Sequence, residues 1–262
     1  MLTFVPTPIG NLSDISKRAI EALDEAEIIF CEDTRVTKKL LNLLDINYST
    51  KTFYSMHSHN ENEIVSNLDI SIFEKNVVYV SDAGMPGISD PGSKLIQFVQ
   101  QNNIEYDVIP GANALLTAFV ASGFEGEFTF FGFLPHKGKD REKKLNEIIN
   151  HNKLAIIYES PHRIEKLLIE LKTLIPNRIV FFAKELTKLH QTFIKDEVKN
   201  ITLKNTKGEW VVIIDKTEKK DVLSLNYDDI LSLKLHPKEK AKLLSKISTK
   251  STKEIYNELI NL

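Results

Sequence analysis

Short apolar runs alternate with amphipathic stretches through the first half of the chain. Residues 2–6 (LTFVP) read as a strand. The stretch SDISKRAIEALDEA follows, with Ile15, Ala19, Ile20 and Leu23 at helical spacing and Ser13 or Asp14 placed to cap it. Strand EIIFC leads to a helix over 37–44, KTFYS to a helix over 61–73, and VVYVS to a helix over 93–101. Strand EYDVIP ends in the small-residue helix ANALLTAFVASG. Strands separated by helices of roughly ten residues predict a largely parallel sheet covered on both faces.

After Gly123 the texture changes. FTFFGF is β-prone, and HKGKDREKKLNEII is a basic loop running into a helix. LAIIY, PHRIEKLLIELKTL and IVFFA predict strand, helix and strand. The polar segment KELTKLHQTFIKD precedes a last strand, EWVVIID. This predicts a second α/β domain with antiparallel pairing near its end. The charged DKTEKKD (215–221) reads as a mobile linker. Beyond it, YDDILSL, PKEKAKLLSKIS and STKEIYNELINL are helical patterns. They place Leu243, Leu244, Ile247, Ile255, Leu259 and Ile260 on apolar faces. The expected class is α/β, with an N-terminal domain over 1–117, a C-terminal domain over 118–215 and a small basic helical tail over 222–262.

With 262 residues, 42% of them hydrophobic, the chain can bury a sizeable core. Its formal charge of −2 sets up no global field toward nucleic acid or membrane. Residues 216–262, however, carry ten Lys against seven acids. A single cysteine, Cys31, excludes an intramolecular disulfide and a Cys-based zinc site, and reads as a buried strand residue. No basic segment followed by an apolar run opens the chain, and no stretch reaches the roughly 20 apolar residues of a membrane span. A soluble cytoplasmic protein is expected.

Candidate chemistry gathers where strands end, because open α/β sheets bind ligands beyond the carboxyl ends of their strands. The first turn, PTPIGNLSD, and the loop SDAGMPGISDPG both fall there. Neither carries the glycine spacing of a dinucleotide fold or a P-loop. Gly84, Gly87 and Gly92 permit close backbone approach, while Pro86 and Pro91 stiffen the loop. With Asp82 and Asp90 and no basic residue before Lys94, it suits a neutral or cationic ligand better than a triphosphate. Taken alone, it also reads as a tight strand-to-helix turn capped by Asp90 or Ser89. Four further polar bursts leave apolar strands: CEDTR, PGANA, YESPHR and AKELTK. Together they are expected to line one cleft. His57 and His59, two apart in MHSHNE, would share a face if extended, but lack the further ligands of a metal site.

VPTPIGNLSDIS, CEDTRVTKKLL, MHSHNE, VSDAGMPGISDPG, PGANALLTAFVASG, FGFLPHKGKDR, YESPHRI, KELTKLHQ and KGEWVVII follow one another from residue 5 to residue 214. In this order they resemble the tetrapyrrole-methylase-like class of S-adenosylmethionine-dependent methyltransferases. Within it they are similar to the enzymes that methylate a cytidine ribose 2′-oxygen of small-subunit (16S) ribosomal RNA. The resemblance implies two α/β domains with the methyl donor, S-adenosylmethionine, in the cleft between them, and a homodimer. It implies that the donor meets Pro8, then Asp82, Ala83, Gly84, Met85, Pro86 and Ile88, then Asn113 and Ala114. In the second domain it implies Tyr158, Glu159, Ala183 and Trp210. Met85, Ala112–Asn113, Lys184 and Gln191 depart from the family pattern of Thr, Pro-Ser, Arg and Glu.

Methyl transfer to a ribose hydroxyl calls for alignment, exclusion of water and removal of a proton. The catalytic candidates are Glu185, Lys188, Lys184, Glu32, Asp33 and Arg35, with Asp82 and Glu159 as further possible bases; no metal is expected. The partner would be small-subunit ribosomal RNA or the ribosomal particle, with no membrane. Two alternatives stay open: a corrin or porphyrin methylase of the same fold, and a non-catalytic ribosome-assembly factor that binds RNA.

Overall fold

The computed structural model describes residues 1–217, 226–248 and 250–260. The chain folds into two compact units, Met1–Thr217 and Glu218–Leu262. The first is built on two sheets of five strands.

In the first sheet β1 (Leu2–Val5), β2 (Ile28–Cys31), β3 (Thr52–Ser55), β4 (Val77–Val80) and β5 (Tyr106–Val108) run parallel in the order β3-β2-β4-β1-β5. Successive side chains of β1, β2 and β4 point to opposite faces, and both faces are covered. Ile29, Cys31, Val78 and Val80 meet Ala19 and Leu23 of α1 (Lys17–Glu25) and Leu41 of α2 (Thr34–Leu43). Ile28, Phe30, Val77 and Tyr79 meet Leu95 and Val99 of α4 (Ser93–Gln101), with Ile64 and Val65 of α3 (Glu61–Ser66) alongside. The helix after β1 thus lies on one face and the helix after the adjacent β4 on the other. A crevice opens between those two strand ends.

Several local boundaries differ from expectation. The cap of α1 is Ser16, whose side chain accepts the Ala19 N–H, and Asn11 caps the single 3-10 turn before it. Helix α2 starts at Thr34 because Asp33 accepts the Arg35 N–H. The expected helix over 61–73 stops at Ser66 and resumes as a 3-10 turn over Ile70–Glu74, whose cap is Asp69. Neither Ser89 nor Asp90 caps α4. Its cap is Gly92 at φ 123°, and a side chain from α3 does the capping: Glu61 accepts the N–H groups of Gly92 and Lys94, both at 2.9 Å.

The second sheet is ordered β6-β7-β10-β8-β9. Its strands are β6 (Phe128–Phe133), β7 (Leu154–Glu159), β8 (Ile179–Lys184), β9 (Thr192–Glu197) and β10 (Trp210–Ile214). β6 and β7 are parallel; β10 runs antiparallel to β7 and β8, and β9 to β8. Strand β9 lies inside the stretch read as a polar segment. Its TFIKDE sequence is an edge strand, charged along much of its length, and edges tolerate such residues. One face of the sheet packs on α6 (Gly138–Ile149) and α7 (Ile164–Leu174). The other receives Leu115 and Ala118 of α5 (Ala114–Ser122), together with Ile9 and Ile88 from the first half.

In the C-terminal unit α8 (Tyr227–Ser232), α9 (Pro237–Leu244) and α10 (Thr252–Ile260) share a small core of Ile230, Ala241, Leu244 and Ile255, with Leu259 packed against it. Leu243, Ile247 and Ile260, expected on the buried faces, are exposed. Three short helices do not have enough facing surface to cover every apolar side chain. Residues 218–221 of the expected linker lie outside the described residues. No helix among the described residues is long and apolar enough to cross a membrane.

Candidate active site

A cleft of 420 Å³ opens where the carboxyl ends of β1 and β4 meet the second sheet. Its first wall is the loop after β4. Gly84, at φ 85°, exchanges both backbone hydrogen bonds with Thr7 in the turn after β1 (2.9 and 3.0 Å). Thr7 and Ser81 hydroxyls donate to the carbonyls of Ser81 and Gly84. A Cβ on Gly84 would meet Ile9 Cγ2 at 3.1 Å. The glycine is therefore needed for its φ and for this seam, and its own amide and carbonyl are already used. Further along, the Gly87 N–H donates to the Pro91 carbonyl at 3.1 Å and closes the loop on itself.

The floor comes from the contact of the first turn with the segment after β8. A Cβ on Gly10 would stand 2.5 Å from Lys188 Cγ, and the Asn11 N–H donates to Thr187 Oγ1 at 3.0 Å. Glu185 and Thr187 hold left-handed φ values of 51° and 64°. Glu185 is fixed by its side chain, which accepts Lys188 Nζ and the Glu209 N–H, each at 2.9 Å. Burial opposes its ionisation, but these donors hold its carboxyl below the ordinary range. Lys188 also reaches Glu209 at 2.8 Å.

The second sheet supplies the far wall. Antiparallel pairing sets Trp210 opposite Glu159 and Lys184, so the end of β7 and the start of β10 reach the cleft together. Tyr158 accepts the Leu115 N–H, and burial pushes its phenol up to about 12. Asn113 caps α5 by accepting the Leu116 N–H. Trp210 donates to the Thr206 carbonyl, and Lys184 Nζ lies 5.8 Å from its ring centre.

Glu159 is fully buried between two guanidiniums: Arg163 at 2.7 Å and Arg141 at 3.2 Å. Arg141 is itself 2% exposed and grips Glu170 through Nε and Nη2. One of the five cations in HKGKDREKK is thus an internal brace, and Lys144 is bound to Glu147. Lys137, Lys139 and Lys143 remain exposed.

Of the residues expected to face the donor, Asp82, Ala83, Gly84, Met85, Ile88, Asn113, Ala114, Tyr158, Glu159 and Trp210 line this cleft. Pro8, Pro86 and Ala183 do not; Ala183 points into the core between α5 and the second sheet. Of the catalytic candidates only Glu32 lines it. Asp33 is bound by Arg35, whose side chain hydrogen bonds and backbone N–H hold its carboxyl down to about 2. Lys184 is buried, and Glu185 and Lys188 form the floor cluster just described.

Sequence reasoning passed over Asp90, Phe133, Leu186 and Glu209 as lining residues. Asp90 stood in the quoted loop. Glu209 stood in KGEWVVII, directly before β10. His57 and His59 sit in the turn after β3, with Asn60 accepting the His57 N–H, and His57 Nδ1 is buried without a partner. Among the described residues no group of three or more His, Cys, Asp or Glu is placed to hold a metal ion.

The electrostatics of the lining are one-sided. Glu32, Asp82, Asp90 and Glu209 face the cleft with Glu159, and among the described residues no Lys or Arg lines it. Burial and neighbouring carboxylates raise Glu32 and Asp82 above the ordinary range, and push Asp90 up to about 7. Ile9, Ile88, Phe133, Leu186, Trp210 and Val211 add an apolar and aromatic surface. Such a cleft can take an uncharged ring system and a positive charge together.

Among solved structures the chain is similar to diphthine synthase (TM-score 0.59, 16% identity, 83% of this chain and 91% of the other). It is also similar to the methyltransferase CobJ (TM-score 0.58, 19% identity, 82% and 94%). These share the fold. The family model for Tetrapyrrole (Corrin/Porphyrin) Methylases matches residues 1–202. The ribosomal RNA small subunit methyltransferase I of Campylobacter fetus is 47% identical, over 99% of this chain and 100% of that protein. The protein of the same name from Helicobacter pylori strain J99 is 43% identical, over 98% and 96%. Matched in this way across nearly its whole length, the chain belongs to the tetrapyrrole methylases and, among them, to the ribosomal RNA small subunit methyltransferase I family.

Proposed function

We propose that the chain transfers a methyl group from S-adenosylmethionine to the 2′-oxygen of a cytidine ribose in small-subunit ribosomal RNA. The observation that carries the reading is the cleft itself, with a carboxylate-rich lining, no lining cation among the described residues and an apolar shelf. The donor fits that chemistry. Its sulfonium and ammonium charges complement Glu32, Asp82 and Glu209, and its adenosine suits the surface of Ile9, Ile88, Phe133 and Trp210. S-Adenosylmethionine supplies an activated methyl group on a sulfonium whose sulfur leaves as a neutral thioether. The chain's residues bind it, exclude water and set the acceptor in line.

The acceptor assignment draws on the named relatives and on the exposed lysines 137, 139 and 143 at the start of α6, which suit phosphates. The donor-facing set is Asp82, Ala83, Gly84, Met85, Ile88, Asn113, Ala114, Tyr158, Glu159 and Trp210. Glu185 and Lys188 shape the floor for turnover rather than holding the donor. A homodimer in the cytoplasm completes the reading; the exposed Leu116 and Val120 of α5 and Leu189 offer apolar surface for it.

The alternative of a corrin or porphyrin methylase finds less support, because a polycarboxylate ring would meet carboxylates here and no lining cation. The test is direct. Purified protein is incubated with methyl-labelled donor and either unmodified small subunits, free small-subunit RNA or a uroporphyrinogen, and the RNA is digested and analysed by mass spectrometry. Label in 2′-O-methylcytidine supports the reading. Label in the tetrapyrrole, or donor binding with no transfer to any acceptor, overturns it.

A further inference from the structure

The methyl acceptor must lose a proton, and the carboxylates around the cleft differ sharply in how free they are to take it. Asp33 is engaged by Arg35, and Glu159 is enclosed by Arg141 and Arg163. Glu185 and Glu209 both bind Lys188. Asp82 accepts the Asp33 N–H at 3.1 Å, and Glu32 accepts the Asp82 N–H. Asp90 alone among the lining carboxylates has no hydrogen bond or ion pair to any described residue.

Its backbone, in contrast, is closely held. Ser89 before it takes a left-handed φ of 64°, a costly conformation for a residue with a side chain. The Gly87–Pro91 hydrogen bond closes the chain around it, and Glu61 fixes Gly92 two residues on. A carboxylate without partners on a braced loop is arranged to receive something from the cleft.

Resting on the methyl-transfer reading above, the geometry points to Asp90 as the general base that takes the proton of the acceptor hydroxyl. As the hydroxyl oxygen forms its bond to the methyl carbon, the carbon–sulfur pair leaves with sulfur and the hydroxyl proton passes to an Asp90 oxygen. Solvent then removes that proton. The groups facing Asp90 are Glu32, Asp82 and Glu209, with the phenols of Tyr79 and Tyr158. Tyr79 is buried with no hydrogen-bond partner for its hydroxyl. Burial and those carboxylates bring the Asp90 carboxyl to about 7, close to the working range of a base near neutral pH. A bound sulfonium lowers it, because an opposite charge favours the ionised form.

The test uses the full chain and three readouts. Carbon-13 carboxyl NMR follows Asp90 in the free protein, with S-adenosylmethionine and with S-adenosylhomocysteine. Calorimetry measures S-adenosylhomocysteine affinity, and single-turnover methylation of small-subunit RNA is followed against pH. The expected results are an Asp90 titration well above the ordinary aspartate range, lowered more by the sulfonium donor than by its neutral product. The wild-type rate should rise with pH to a plateau. Asp90→Asn should reduce the rate by about 10²–10⁴-fold and remove the pH limb, with product affinity within a few fold. Asp90→Glu should restore part of the rate. An Asp90→Asn protein that methylates at the parental rate with the same pH limb overturns the assignment alone. So does one that loses product affinity, since Asp90 would then be a donor ligand. Wild-type protein that binds donor but methylates no RNA overturns the functional reading and this inference together.

Discussion

Replacing Arg141 with Met should destabilise the first unit by an amount the structure lets one work out. The guanidinium is 2% exposed and balances Glu159, which is fully buried, as well as Glu170. It also donates to the Pro135 carbonyl at 3.2 Å. Met fills most of the volume, so the cavity cost is small and the loss is electrostatic. Removing one partner of a buried pair costs about 3–5 kcal/mol, because the other charge is left without compensation. Two features favour the lower end. Arg163 still holds Glu159 at 2.7 Å, and Glu170 is partly solvated. A loss of about 3 kcal/mol follows, or about 6–12 °C in melting temperature for a unit of this size.

The assay is urea unfolding followed by fluorescence. The chain has a single tryptophan, Trp210, buried and paired in register with Glu159, so the signal reports on this half. Arg141→Lys should fall between, keeping the charge and losing the two-pronged grip on Glu170. A loss below about 1 kcal/mol with an unchanged urea slope would refute the claim that this cation is an internal brace.

Further outcomes follow from the same geometry. Gly84→Val meets both an unfavourable φ of 85° and Ile9 at 3.1 Å, so a folded variant should lose donor binding; calorimetry with unchanged affinity would remove this seam from the site. Glu61→Ala strips two N–H groups at the start of α4 of their acceptor and should cost about 1–3 kcal/mol in denaturant titration, with weaker donor binding. Asp90 keeps its proton in the native state between about pH 4 and 7, where the unfolded chain has lost it. Wild-type stability should therefore fall as pH rises through that window. Asp90→Asn should be the more stable protein at pH 8, an advantage that vanishes at pH 4; equal stabilities at both would contradict the raised carboxyl. A chain ending at Thr217 should keep its donor affinity and lose RNA methylation most at moderate salt, whereas lost donor affinity would make the C-terminal unit part of the site.

The sequence by itself determined the alternation of buried strands with covering helices, since short continuous apolar runs separated by amphipathic helices admit few folds other than a sheet covered on both faces. It also determined that the cleft would sit at the strand ends, and its glycine-rich loop was legible because only glycine tolerates the φ that Gly84 adopts. Tertiary structure decided the rest, through contacts between residues far apart in the chain. Strand β9 was hidden by charges that an edge strand permits. The cap of α4 came from Glu61, about thirty positions before it, rather than from the loop's own Asp or Ser. Arg141, written into a basic run, turned inward because the register of β7 places Glu159 within its reach. Glu185 and Lys188 looked like free chemistry and pair with each other, as Asp33 does with Arg35, while Asp90 looked like a cap and has no partner among the described residues. Residue type announces that a charge is present. Whether that charge is balanced depends on which strands are neighbours, and no local pattern along the chain records that.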